Sequence, residues 1–343
     1  MRTQTSFKSV MLRTHARIAN LLSRDQVQRL AECPDLESFL EALKETPYGE
    51  ITLEEGVNPS IQLERAFNQK FAERIAEIVK LTPGARGEFL HTYFHLRFEV
   101  LNLKRILRGI FNNWEPEEIA DSLIPIEPIT VKDYQPLTRC KSLEEAVGLL
   151  EDTPYKALRG ELERVRQVEA LWPLEHMLNQ IYSKRVLALT ASLPKSDQRM
   201  VNALVRYEND VENILTALKY RGKEVEDFEE LFPVTYGVSL ETLTTVAKAS
   251  DIESAINLLE EPYKTVLDPL RTGDVAMVRA MLRRGKCDVA SRAKAMDQFG
   301  FNVILAFLVY SEAEKDNLVG LAWGKAQGLP PENLLKYIVL PRG

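Results

Sequence analysis

The chain has 343 residues, 45% hydrophobic and 27% charged, with a formal net charge of −6. That length suits two or three globular units with sizeable cores, and the lack of a clustered positive footprint argues against a nucleic-acid partner. The cysteines, Cys33, Cys140 and Cys287, stand far apart without a C-x-x-C spacing, as reduced thiols do.

Arg2, Lys8 and Arg13 leave no apolar run at the start, so no signal peptide is expected. The longest uncharged window, 298–311, has 14 residues. A membrane span needs roughly 20 apolar ones. The chain is expected to be soluble, or at most peripheral to a membrane.

In chain order, "DLESFLEALKE" (35–45) carries apolar residues at helical spacing, with Asp35 as its N-cap. Thr46-Pro47-Tyr48 ends it, because proline cannot continue a helix. Residues 60–81 are rich in helix formers. "EVLNLKRILRG" (99–109) reads as a long buried helix, and the Pro-broken "IPIEPITV" (124–131) as a linker. "SLEEAVGLLED" (142–152), N-capped by Ser142, again runs into Thr-Pro-Tyr. Helical composition over 157–193, the segment "DVENILTALKYRG" (210–222) and the linker "FPVTYGVSL" (232–240) follow. "DIESAINLLEE" (251–261), N-capped by Asp251, ends at Pro262-Tyr263. Residues 268–294, "EKDNLVGLAWGK" (314–325) and "PENLLKYIVLP" (331–341) complete the chain.

This order repeats itself. Tyr48, Tyr155 and Tyr263 lie 107 and 108 positions apart by subtraction. Each is followed by an acid, two residues and an asparagine: Glu99/Asn102, Asp210/Asn213 and Glu314/Asn317. A glycine closes each segment (Gly109, Gly222, Gly324), and an apolar-Pro stretch follows. Three landmarks in one order, three times, imply homologous units at 1–125, 126–233 and 234–343. The fold class expected is all-α, three similar helical units of about 110 residues. The wider Asn213-to-Gly222 spacing suggests that the helix there runs on.

The acid and asparagine share a helical face at i, i+3. Either they hydrogen-bond a neighbouring loop or helix end within each unit, or they line a shared surface; the first, structural reading is preferred. "HTYFH" (91–95) is the most tempting chemistry, since His91, His95 and Glu99 fall on one helical stripe with metal-ligand spacing. The repeat supplies a control: counting back from each asparagine, the positions of His91 and His95 hold Asn202 and Arg206, then Ala306 and Tyr310. A metal-dependent helical enzyme on these residues is therefore an alternative rather than the main reading, and a generic helical scaffold for soluble proteins is another. Lys104, Arg105 and Arg108 read as a helix C-terminal turn, and "MVRAMLRRGK" (277–286) is the best basic patch. No Gly-rich phosphate loop and no G-x-S-x-G occur. No catalytic residue, cofactor, metal or small-molecule substrate is expected.

The thrice-repeated Tyr, acid-x-x-Asn and Gly pattern resembles the C subunits of A/V-type ATP synthases, the counterparts of the d subunit in the eukaryotic vacuolar ATPase. "EVLNLKRILRG" and "DVENILTALKYRG" are similar to that family's most characteristic helices, and "LAWGKAQGLPPENLLKYIV" to its closing segment. "THARIANLL" (14–22) is similar to its opening segment but lacks the usual preceding Tyr-containing helix. The resemblance implies a pseudo-threefold funnel without catalysis, peripheral on the cytoplasmic face of the membrane. It implies two partners: the proteolipid rotor ring, and the central stalk, whose foot the hollow receives, so that torque passes between them.

Overall fold

The computed structural model describes residues 7–223 and 227–340, and among these it is helical, with no strand. Three helices come first: α1 (Phe7–Ala19), α2 (Arg24–Glu32) and α3 (Leu36–Leu43). Next come α4 (Pro59–Leu81), α5 (Ala85–Leu90), a π-helical turn His91–His95, and α6 (Leu96–Phe111). Four short helices, α7 (Pro116–Ser122), α8 (Gln135–Thr138), α9 (Leu143–Gly148) and α10 (Leu162–Val168), lead to α11 (Trp172–Ser192). The rest is α12 (Lys195–Lys219), α13 (Phe228–Leu231), α14 (Leu240–Ala247), α15 (Ile252–Asn257), α16 (Tyr263–Leu267), α17 (Val275–Met296), α18 (Phe301–Ala326) and α19 (Pro331–Leu335).

The chain divides into two compact units, Ile51–Leu193 and the residues up to Glu50 together with those from Pro194 on. In the first, α6 packs against α7, α9 and α11. Leu103, Ile106, Leu107, Ile119, Val147 and Leu174 close its core. Gly109 lets α7 approach, since a Cβ there would collide with the Ile119 side chain.

In the second unit α18 is the axis. Every residue from Phe301 to Ser311 is buried, which is the signature of a helix enclosed on all sides. It packs against α1, α3, α12, α17 and α19, so elements from both ends of the chain meet on it. The buried Lys325 ammonium donates to the carbonyls of Ala31 (2.5 Å) and Cys33, free acceptors at the C-terminal end of α2. Burial lowers the pKa of that ammonium.

The three expected start signals hold. Asp35, Ser142 and Asp251 cap α3, α9 and α15 by accepting from Ser38, Glu145 and Ser254 amides at 2.8, 3.2 and 2.7 Å. The helix carrying Asn213 does not run on, however. It stops at Lys219, six residues past the asparagine by subtraction, whereas α6 and α18 continue nine past theirs. Gly222 then takes a left-handed φ of 74° that glycine adopts freely, so it marks a turn beyond the helix rather than its end.

Candidate functional site

The acid–asparagine pairs lie on the three long, largely buried helices α6, α12 and α18, one turn apart and facing a linker. Glu99, Asp210 and Glu314 are 1%, 1% and 7% exposed. A carboxylate so buried needs several donors to offset its lost hydration. Each has donors of two common kinds, and an asparagine beside it fixes nearby backbone.

The first source is the linker backbone. Glu99 Oε2 accepts from the Ile129 amide and from the Thr130 amide at 2.7 Å, while Oε1 accepts from the Thr130 hydroxyl. Asp210 accepts from the Gly237 amide at 3.0 Å and the Val238 amide at 3.4 Å. Glycine suits 237 because a Cβ there would stand 2.8 Å from Asp210 Oδ2. Glu314 Oε2 accepts from the Leu22 amide at 2.5 Å.

The second source is the tyrosine of a Pro-Tyr stop. Tyr155 Oη donates to Glu99 at 2.7 Å, Tyr263 Oη to Asp210 at 2.6 Å and Tyr48 Oη to Glu314 at 2.7 Å. Each acid therefore takes the next tyrosine of the pattern along the chain, and the third acid takes the first tyrosine. Burial, and then the Glu99 carboxylate, pushes the Tyr155 hydroxyl above the usual tyrosine range. Burial and the bond to Asp210 do the same for Tyr263.

The asparagine fixes nearby backbone, the linker in the first two clasps and the C-terminal segment in the third. Asn102 donates to the Ile124 carbonyl (3.0 Å) and accepts from the Ile124 amide (2.9 Å). Asn317 makes the same two-way pair with Val339 at 2.7 and 3.0 Å. Asn213 donates to the Val234 carbonyl at 2.8 Å, and Asn209 joins it there at 3.0 Å.

All nine residues of the recurring sequence pattern thus fall into three clasps: Glu99, Asn102 and Tyr155; Asp210, Asn213 and Tyr263; Glu314, Asn317 and Tyr48. Sequence reasoning missed the amide donors Leu22, Ile129 and Val238. A signal was present, since each stands 13 positions before the N-cap Asp35, Ser142 or Asp251 by subtraction. No proton or metal chemistry is evident in a clasp, because its acid is consumed by fixed donors.

His91 and His95 lie in the π turn with ring centroids 5.0 Å apart. Burial, with His95 next, lowers the pKa of His91. His95 Nε2 lies 3.2 Å from the Glu127 carbonyl. The metal reading needs Glu99 as third ligand, and both of its oxygens are held within the clasp. Among the described residues no group of three or more His, Cys, Asp or Glu is arranged to hold a metal ion. Nor is the cationic cluster of α6 a plain C-terminal turn. Lys104 bonds Asn179 (2.5 Å), Arg105 bonds Glu64 (2.7 Å) and the Ser122 carbonyl, and Arg108 bonds Glu175 (2.5 Å).

A model of the ATP synthase (C/AC39) subunit family matches residues 12–337. Similar chains include the C subunit of the A-type ATP synthase of Methanocaldococcus jannaschii, 25% identical over 96% of this chain and 85% of that one. The same subunit from Archaeoglobus fulgidus is 24% identical over 96% and 95%, and that from Pyrococcus abyssi 24% over 95% and 88%. No helix among the described residues is long and apolar enough to cross a membrane.

Proposed function

The chain belongs to the ATP synthase (C/AC39) subunit family, and from that premise we propose that it is a non-catalytic subunit of a rotary A/V-type ATP synthase or ATPase. It is a socket, peripheral on the cytoplasmic face of the membrane, that joins the proteolipid rotor ring to the central stalk and carries torque between them during ion transport. Its three repeat units, 1–125, 126–233 and 234–343, form a pseudo-threefold funnel whose hollow takes the foot of the stalk. The observation that carries this reading is a family match running almost end to end, with relatives of the same extent.

The three clasps support it physically. A part that transmits torque must not yield at the joints between its repeats. Each joint here is a buried carboxylate whose removal strands backbone donors, a costly and therefore stiff arrangement.

The test is affinity purification of the tagged chain from gently detergent-solubilised membranes of a cell that contains such an ATPase, with mass spectrometry of what accompanies it. Recovery of a small, very hydrophobic ring protein together with stalk proteins is expected. Recovery of soluble proteins alone overturns the socket and leaves a general scaffold in its place.

A further inference from the structure

Asn102 and Asn317 occupy like places in their clasps, but the residues three positions further along differ. After Asn102 comes Arg105, whose guanidinium bonds Glu64 and the carbonyl of Ser122, two residues before Ile124. After Asn317 comes Gly320, a glycine inside α18 with nothing within 4 Å of where a Cβ would stand. The matching carbonyl, that of Tyr337 two residues before Val339, is reached instead from α17 by Arg283 at 3.0 Å. An open cleft of about 750 Å³, with the exposed Gly320 in its lining, runs between α17, α18 and the C-terminal segment.

That volume lies within the range of small-ligand sites, roughly 300–1,000 Å³. Val275, Leu282, Val319, Trp323 and Leu334 give it an apolar wall. Two cations on one face of α17, Arg279 and Arg283, also line it, one helical turn apart. Arg283 Nε is buried without a hydrogen-bond partner, and Arg279 is exposed with no carboxylate partner among the described residues. The acid in the wall, Asp316, is engaged by Lys315 at 2.5 Å. Val275, 51% exposed, and Leu329, 39% exposed, stand at the mouth. A largely apolar cleft lined by two arginines of one helix face suits a ligand that is apolar for most of its length and anionic at one end.

We propose that this cavity binds an anionic amphiphile, a single hydrocarbon chain ending in phosphate, with its head at Arg279 and Arg283 and its chain along Leu282, Val319 and Leu334. This does not depend on the protein's place in a rotor, and it concerns a site separate from the clasps' acids and tyrosines.

The test is calorimetric titration of the purified full chain with decyl phosphate below its micelle concentration, beside decanol and inorganic phosphate. The expected result is saturable one-to-one binding of decyl phosphate, with decanol roughly tenfold weaker and phosphate alone without measurable heat, since head and chain each contribute. Gly320→Leu projects a branched side chain into the cleft where the hydrocarbon chain would lie, and is expected to weaken binding by at least about tenfold. Arg279→Gln, at an exposed site, is expected to weaken it roughly tenfold while the fold stays intact. Wild-type affinity in Gly320→Leu would mean adsorption elsewhere and overturn the proposal. Equal affinity for decanol would remove the role of the arginines, and tight binding of phosphate alone that of the cleft; either result also overturns it.

Discussion

The clasp around Glu99 and the clasp around Glu314 both combine a tyrosine hydroxyl, backbone amide donation and a neighbouring asparagine, yet they join very different stretches of chain. Glu99 draws its partners from residues 129, 130 and 155, all downstream and within its own compact unit. Glu314 draws its partners from residues 22 and 48, which are 292 and 266 positions away. One clasp therefore seals a local turn of the chain, and the other fastens its two ends. Loop-closure entropy rises only slowly with loop length, so like chemistry suffices for both. What differs is what comes loose when a clasp fails.

The largest effect comes from the acids. Glu99→Ala and Glu314→Ala each leave buried amide and hydroxyl donors unsatisfied and are expected to cost about 3–5 kcal/mol in chemical denaturation. Hydrogen exchange separates the two. Glu314→Ala should release protection in α2 and α3 while leaving 51–193 protected, and Glu99→Ala should loosen 124–131 and leave α2 and α3 protected. A uniform loss in both variants would mean that the clasps do not act as separate joints.

Removing the asparagines has a smaller effect. Asn102→Ala and Asn317→Ala each break a two-way pair with one backbone residue, an expected loss of about 2 kcal/mol. Gly109→Ala sits in the same range, about 1–3 kcal/mol, because the new methyl meets Ile119 and α7 must shift. Thermal or urea melts that leave any of the three unchanged would remove that contact from the joint.

The helices and their caps are legible in the sequence because they depend on neighbours in the chain. Asp35, Ser142 and Asp251 precede apolar spacings that only a helix satisfies. The acid–asparagine pairs are visible because they recur. Their partners are not, because Tyr48 lies ahead of Glu99 in the chain yet bonds Glu314. Linear order groups a tyrosine with the acid that follows it, and the folded chain groups it with a different acid. The early stop of α12 is hidden for a related reason. Gly222 stands where a glycine landmark is expected, but a positive φ makes it a turn residue.

The tyrosines test the comparison through pH. The folded-state pKa of Tyr155 is raised above its ordinary value of 10.0, so the neutral hydroxyl is the form that the fold prefers. Its contribution is full below pH 10 and is lost as pH rises from there through the folded-state pKa. Tyr263 follows the same sign. Tyr155→Phe and Tyr263→Phe are each expected to cost about 1–2 kcal/mol at neutral pH, since each hydroxyl bonds a carboxylate. Each should also flatten the fall in stability above pH 10, Tyr155→Phe more because its ring is the more buried. An unaltered alkaline slope in Tyr155→Phe would place the titrating group elsewhere.

The smallest effect runs the other way. Gly320 stands inside α18 at the place that Arg105 holds on α6, and a methyl group added there meets nothing within 4 Å. Glycine in a helix interior costs about 0.5–1 kcal/mol relative to alanine. Gly320→Ala should therefore stabilise the chain by roughly that amount, because the gain in helix propensity is not offset by a clash. Gly324→Ala, four residues on, would drive a methyl into the Leu334 side chain and should destabilise instead. The opposite signs at two glycines of one helix separate a position that α19 needs small from one that only the cavity needs small. If Gly320→Ala proved destabilising as well, the space beside it would already be spoken for by the fold, and the contrast between the Asn102 and Asn317 regions would be one of packing alone.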